Sequence, residues 1–159
     1  MFFRLSTVFL ILTKKFFYVR LNSGMISIKE VTREYEDFWL TVDGHADVET
    51  VKARISEKSG FIIFDGAKPI GVMAFNRFWD ELPFLSLIKI LPEYRRCGYG
   101  REAMSLFEEE LKLRGFGALL VSTQTDEDAQ HFYRSTGYRE CGCLVLENQP
   151  MEMFFIKSF

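Results

Sequence analysis

The chain has 159 residues, 48% hydrophobic and 26% charged, with a formal net charge of −2. That length suits one domain with a real core, and the charge gives no reason to expect nucleic acid as a partner. Cys97, Cys141 and Cys143 form no even framework and have only His45 and His131 beside them, so neither disulfides nor a metal site is expected, and the simplest setting is reducing and cytoplasmic.

Residues 1–24 stand apart. They hold Arg4, Lys14, Lys15 and Arg20 and no acid, which leaves −6 for the remainder. The apolar run Val8 to Leu12 is too short to span a bilayer. Lys14-Lys15 ends it with no cleavage site after, unlike a signal peptide. An amphipathic surface anchor is one reading. The pattern favours a natural start at Met25 instead, where alternation begins. The domain is therefore expected over 25–159. A retained extension would add an edge strand or an interface.

From Met25 the elements alternate. Met25 to Val31 reads as a strand. Glu34 to Val42 and Val48 to Lys58 read as helices parted by Asp43-Gly44. Val48, Val51, Ile55 and the stem of Lys52 are expected to face the core. Phe61 to Phe64 is a short buried strand, Asp65 to Pro69 a turn, and Ile70 to Phe75 the return strand. Asn76 to Pro83 reads as a polar-aromatic connection. Phe84 to Leu91 is the central strand, and Arg101 to Arg114 a helix stopped at Gly115. Ala118 to Thr123 is a strand and Glu127 to Ser135 a helix. Tyr138 to Leu146 and Met151 to Ile156 are the last strands. Seventeen phenylalanines predict an aromatic-rich core.

Pro92-Glu93-Tyr94-Arg95-Arg96-Cys97-Gly98-Tyr99-Gly100-Arg101 links the central strand to its helix. Strand, glycine-bearing loop, helix is the arrangement that offers orphan N–H groups and a positive dipole end to an anion. Gly98 and Gly100 clear side chains from the approach, and Arg95, Arg96 and Arg101 add positive charge. The third glycine of a dinucleotide fingerprint and the Lys-Ser/Thr of a P-loop are both missing. The predicted ligand group is a pyrophosphate.

Arg95-Arg96-Cys97-Gly98-Tyr99-Gly100 resembles the Arg/Gln-x-x-Gly-x-Gly/Ala motif of the GNAT superfamily of acyl-CoA-dependent N-acetyltransferases. Ala129-Gln130-His131-Phe132-Tyr133-Arg134-Ser135-Thr136-Gly137-Tyr138 resembles that family's second signature. The resemblance covers roughly 25–159. It implies an α/β fold with a mixed, mostly antiparallel sheet of six to seven strands and helices on both faces. It implies acetyl-CoA as cofactor, the pyrophosphate held at Arg95, Arg96, Cys97, Gly98, Tyr99, Gly100 and Arg101. It also implies that the backbone of Ile88, Lys89 and Ile90 pairs with the pantetheine arm, with an N–H there aimed at the thioester carbonyl.

Tyr133 falls at the family's general-acid position, and a tyrosine keeps its proton at neutral pH. His131, two residues away on a helix, points elsewhere. Two positions depart from the family. The Asn that often contacts coenzyme A is here Asp126, a residue that can cap a helix but cannot donate a hydrogen bond as a carboxylate. The Glu that some protein N-terminal acetyltransferases carry after the pyrophosphate helix is here Val121. A base must come from elsewhere, and Asp80-Glu81 in the connection is the nearest source, with Glu81 the candidate. Phe78, Trp79 and Phe84 read equally as an acceptor wall or as packing. Cys97 has no partner that would make it a nucleophile.

The resemblance implies direct acetyl transfer from acetyl-CoA to a primary amine, on a small molecule or a peptide. A different class, an acyl-CoA-binding sensor without turnover, fits the two departures as well. A nucleotide-binding protein outside the family is a third reading. The apolar final strands are compatible with a homodimer.

Overall fold

The structure is a computed structural model that describes residues 17–21 and 24–159, with side chains from Ile26 onward. The run Val8 to Leu12 lies outside the described residues. Twelve principal elements follow one another: β1 (Phe17–Leu21), β2 (Gly24–Glu30), α1 (Glu36–Asp43), α2 (Val48–Ser56), β3 (Gly60–Asp65), β4 (Lys68–Phe78), β5 (Leu82–Ile90), α3 (Tyr99–Leu113), β6 (Ala118–Gln124), α4 (Ala129–Ser135), β7 (Arg139–Leu144) and β8 (Glu152–Ser158). Among the described residues the sheet has eight strands in the order β1-β2-β3-β4-β5-β6-β8-β7. Seven of them match the expected α/β count. The eighth, β1, comes from the basic N-terminal segment and pairs antiparallel with β2. Every neighbouring pair is antiparallel except β5–β6.

Helices cover both faces. α3 buries Ala103, Met104, Phe107 and Leu111 at helical spacing, and these pack with Phe61, Phe75, Val121, Tyr133 and Phe155. Phe75 and Phe107 approach at 5.6 Å between ring centres, part of the expected aromatic core. On the other face, Trp39, Val42 and Val51 of α1 and α2 pack on Ile62, Phe64, Val72 and Ala74. Alternate side chains of one sheet thus feed two cores. Among the described residues no helix is long and apolar enough to cross a membrane.

Four local readings need correction. In α2, Val51 is buried and Ile55 packs against the second core, but Val48 is 38% exposed and Lys52 reaches Glu49 in solvent. Val48 is the first residue of α2, directly after its Asp47 cap, and stays in solvent. Second, Asn76 to Pro83 is mostly not a connection. Asn76, Arg77 and Phe78 pair with Phe84, Pro83 and Leu82, so β4 and β5 form one hairpin. Its tip puts Trp79 and Asp80 at φ of 51° and 62°, a left-handed pair of the kind that normally signals itself with glycine. Third, α4 starts at Ala129, because Glu127 accepts hydrogen bonds from Thr123 Oγ1 and Gln124 N instead of entering the helix. Fourth, β7 stops at Leu144, and all six of its residues are exposed.

Candidate active site

The site begins with a defect in β5. Its register with β4 runs Ala74↔Leu87 and then Phe75↔Leu85, so Ser86 is an extra residue, a β-bulge. A bulge bends its strand and raises the local twist. Ser86 Oγ donates to Ala74 O at 3.3 Å, and Arg54 Nη2 reaches Ser86 Oγ at 3.4 Å. On its other side β5 pairs with β6 only at Phe84↔Leu120 and Leu85↔Val121. Beyond the bulge the two strands part. The gap is a cleft of about 480 Å³, lined by Phe84 to Ile88 of β5, Ser122 to Gln124 of β6, Glu127, Ala129 and Tyr133 beside α4, and Glu152 of β8.

The parted edge of β5 has backbone to offer. Leu91 N–H donates to Ile70 O of the neighbouring strand at 2.9 Å. Backbone groups alternate sides along a strand. The Lys89 backbone therefore also faces β4, while that of Ile88 and Ile90 faces away from it, Ile88 lining the cleft. Of the three residues expected to meet the pantetheine arm, Lys89 is turned away, and its Nζ donates to Asp43 O at 3.0 Å. Ile90 O accepts from Arg95 Nε at 2.8 Å, which ties the loop to the end of β5.

The loop after β5 has the expected form. A 3-10 turn over Pro92–Tyr94 leads into Arg96 and Gly98, at φ of 62° and 89°, and α3 starts at Tyr99. A Cβ built on Gly98 would stand in open space, with nothing within 4 Å. Among the described residues, nothing hydrogen-bonds the N–H groups of Gly98 and Gly100, whereas those of Arg101 and Glu102 close onto Gly98 O. An open cradle with free donors at a 15-residue helix start suits a pyrophosphate.

The charges divide differently from expectation. Arg96 extends into solvent, its side chain 91% exposed and 3.7 Å from Asp128. Arg101 instead donates to Ser135 O at 3.0 Å and Ser135 Oγ at 3.1 Å, clamping α3 to the end of α4. Tyr99 is buried, and its hydroxyl donates to Asp65 Oδ2 at 2.8 Å, so only its backbone remains on the loop side. Cys97 is exposed and contacts Arg95 O. Asp126 is exposed outside the cleft lining and caps nothing, since Asp128 holds the cap position of α4.

Tyr133 lines the cleft. It is 6% exposed and packs against Tyr138 and Phe155 at 5.7 and 6.0 Å between ring centres. No described residue hydrogen-bonds its hydroxyl, which is not wholly buried and keeps some access from the cleft. Burial, aided by the charges of Glu127 and Glu152, pushes its pKa up to about 12. Beneath it, Tyr138 donates to Glu108 Oε1 at 2.9 Å and Lys157 to Glu108 Oε2 at 2.7 Å, a buried polar set that fixes the neighbouring ring. His131 is exposed on the far side of α4.

Glu81 is not brought to the cleft. It follows the tip of the β4–β5 hairpin, roughly 20 Å of extended chain before Leu87 and at the end of β5 where β5 and β6 are still paired. Trp79, 84% exposed, and Phe78 share that remote tip. Of the three aromatics, only Phe84 lines the cleft. The carboxylates that do line it are Glu127 and Glu152, which sequence reading missed. One signal was available for Glu152, the single acid in the otherwise apolar run Met151 to Ile156. Among the described residues no cluster of His, Cys, Asp and Glu is arranged to hold a metal.

A family model described as the acetyltransferase (GNAT) family matches residues 28–138. A Streptococcus pyogenes protein described as an uncharacterized acetyltransferase in the arcA 3' region is 26% identical over 97 residues, 61% of this chain and 65% of that protein. The match therefore spans just under two thirds of that relative's length. A GNAT-family acetyltransferase from Bacillus cereus has the same fold, with a TM-score of 0.70 at 24% identity over 85% of this chain and 98% of its own. A putative streptothricin acetyltransferase from Bacillus anthracis, in complex with acetyl coenzyme A, aligns with a TM-score of 0.57 at 19% identity over 63% of this chain and 61% of its own. Both motifs fall inside the matched range or end at its last residue, and with more than half of its length matched, this chain belongs to the acetyltransferase (GNAT) family.

Proposed function

We propose that this chain transfers an acetyl group from acetyl-CoA to a primary amine of a small molecule or peptide, by direct attack. The observation that carries the reading is the buried Tyr133, whose hydroxyl no described residue hydrogen-bonds, inside a cleft that opens beside a free helix N-terminus. Acetyl-CoA would supply the activated thioester. Gly98 and Gly100 N–H, with Arg96 beside them, hold the pyrophosphate. The backbone of Ile88 and Ile90 on the side of β5 away from β4 orients the arm. Tyr133 keeps its proton until a leaving thiolate takes it. Three exposed free cysteines suit a reducing, cytoplasmic compartment. The domain is taken as 25–159, with β1 as an added edge strand.

The test is thiol release from acetyl-CoA across a panel of primary amines, for the unmodified chain and for Tyr133→Phe. Turnover with at least one amine is expected. Tyr133→Phe should lower kcat by about 10²- to 10⁴-fold, the usual worth of a general acid, while coenzyme A affinity stays put. Coenzyme A binding without release on any amine would reject transfer in favour of a sensor.

A further inference from the structure

Glu152 is the first residue of β8 and pairs with Gln124, the last of β6. Its neighbours Met153 and Phe155 pack into the core shared with α3 and α4. Side chains alternate across a strand, so Glu152 leaves the sheet on the face opposite α4. Tyr133 enters the same cleft from the α4 face. The two groups therefore flank the gap between β5 and β6 from opposite sides.

Their surroundings differ from those of every other carboxylate nearby. Glu127 is engaged by Thr123 and Gln124. Glu152 is partly buried, and no described residue hydrogen-bonds or ion-pairs with its carboxylate. The titratable groups around it are Glu127 and Tyr133. Among the described residues the lining contains no Lys, Arg or His, and Arg54 of α2, which touches it at Ser86 Oγ, has its other guanidinium nitrogen engaged by Phe75 O and Asn76 Oδ1. The cleft thus combines two carboxylates, no cation in its lining, and a buried tyrosine whose hydroxyl has no described hydrogen-bond partner. A cation completes that set, and a protonated primary amine is a cation.

We propose that Glu152 is the general base, receiving a cationic acceptor amine from the sheet face opposite α4 and taking its proton. This rests on the acetyl-transfer reading above. The proton balance closes. Glu152 takes one proton from R–NH3⁺ and passes it to water. The neutral nitrogen forms the C–N bond as the thioester C–S bond breaks. Tyr133 protonates the leaving sulfur and is restored by the second proton that the nitrogen sheds. One ammonium and one thioester give one amide, one thiol and one proton. The arriving cation also offsets the carboxylates that, second to burial, help hold the Tyr133 proton, and so makes Tyr133 a better acid when it is needed.

The test compares Glu152→Gln with the unmodified chain in thiol release, using n-butylamine, 1,4-diaminobutane and aniline as acceptors over a range of pH. Binding of 1,4-diaminobutane in the presence of coenzyme A is measured by calorimetry alongside. For the two alkylamines, kcat/KM should fall about 10²- to 10³-fold near neutral pH. The loss should narrow as pH approaches the amine's own pKa, about 10, where the free base needs no acceptor for its proton. Any rate with aniline, neutral near pH 7, should be unchanged. Coenzyme A affinity should hold, and 1,4-diaminobutane should bind at least about tenfold more weakly. If Glu152→Gln unfolds, Glu152→Asp replaces it and should keep the pH profile at a reduced rate. Alkylamine turnover with the same rate and pH profile in the variant overturns this assignment and leaves acetyl transfer standing. No thiol release by the unmodified chain with any amine overturns both.

Discussion

Two alanine substitutions two residues apart should have opposite effects. Gly98 sits at φ 89°, where an L-residue pays for contact between Cβ and its own backbone. A Cβ there meets no other atom, so the cost is the backbone alone, about 1–2 kcal/mol. Gly100 lies inside α3, and its Cβ would meet Phe132 at 3.7 Å and Ile90 at 3.8 Å, ordinary contacts. Removing a helical glycine at a site with room should stabilise by up to about 1 kcal/mol. The two variants should therefore differ by about 2 kcal/mol, roughly 4–8 °C in Tm for a chain of this size. Thermal unfolding without ligand reads the difference directly. Gly98→Ala should also turn the loop's free N–H groups, losing about 1.5–3 kcal/mol per charged hydrogen bond, or about 10- to 100-fold in coenzyme A affinity. Gly100→Ala should bind within about threefold, since helical N–H geometry is kept. Equal destabilisation by both, or an equal loss of coenzyme A affinity, would refute the division between conformational and packing roles.

The arginines give a second contrast. Arg96→Ala should weaken coenzyme A binding and flatten its salt dependence, because that exposed guanidinium acts through long-range charge. Arg101→Ala should lower stability by about 1 kcal/mol through the lost Ser135 bonds and leave the salt dependence alone, as titration calorimetry at several ionic strengths would show. A third outcome concerns alkaline pH. The folded-state pKa of Tyr133 lies above its unfolded value, so its contribution is fully present below about pH 10 and is lost as pH rises toward about 12. Denaturant unfolding should show stability falling across that window. Tyr133→Phe should make the fall shallower, leaving the part due to Tyr138, whose pKa burial and Glu108 also raise.

Legibility followed the range of the physics involved. Core-facing positions of β3 and α3 repeat at strand or helix period, so Phe61 to Phe64 and the Ala103–Phe107–Leu111 stripe could be placed from local pattern. Gly98 and Tyr133 were legible because the first serves a local φ and the second lies in a contiguous motif. The Trp79-Asp80 tip was not, since it takes left-handed angles without the glycine that advertises them. The Ser86 bulge is a property of register between two strands, and neither strand contains it alone. Arg101 looked like a ligand for phosphate because its charge is written in the sequence and its partner, Ser135, is 34 residues away. The candidacy of Glu81 has the same origin, and Glu152 drew no notice in the sequence. Nearness along the chain favoured Glu81, but the sheet order that sets β8 against β6 decides which acid reaches the cleft.

That sheet order also explains why the anion cradle and the cleft occur together. β5–β6 is the one parallel pair among the described strands, and a parallel pair needs a crossover, here α3. The crossover helix must start near where β5 ends, which puts its free N–H groups at the carboxyl end of that strand. The bulge at Ser86 parts β5 from β6 toward that same end. A ligand with a charged middle and an extended arm would then meet helix N-terminus and open strand edge in order along one line. Moving either feature to the other end of β5 would separate them by the length of the strand, about 30 Å for its nine residues. The hairpin tip with Glu81 occupies that other end. The reactive end of the ligand would stop in the cleft, where Tyr133 and Glu152 stand, and would not reach the tip.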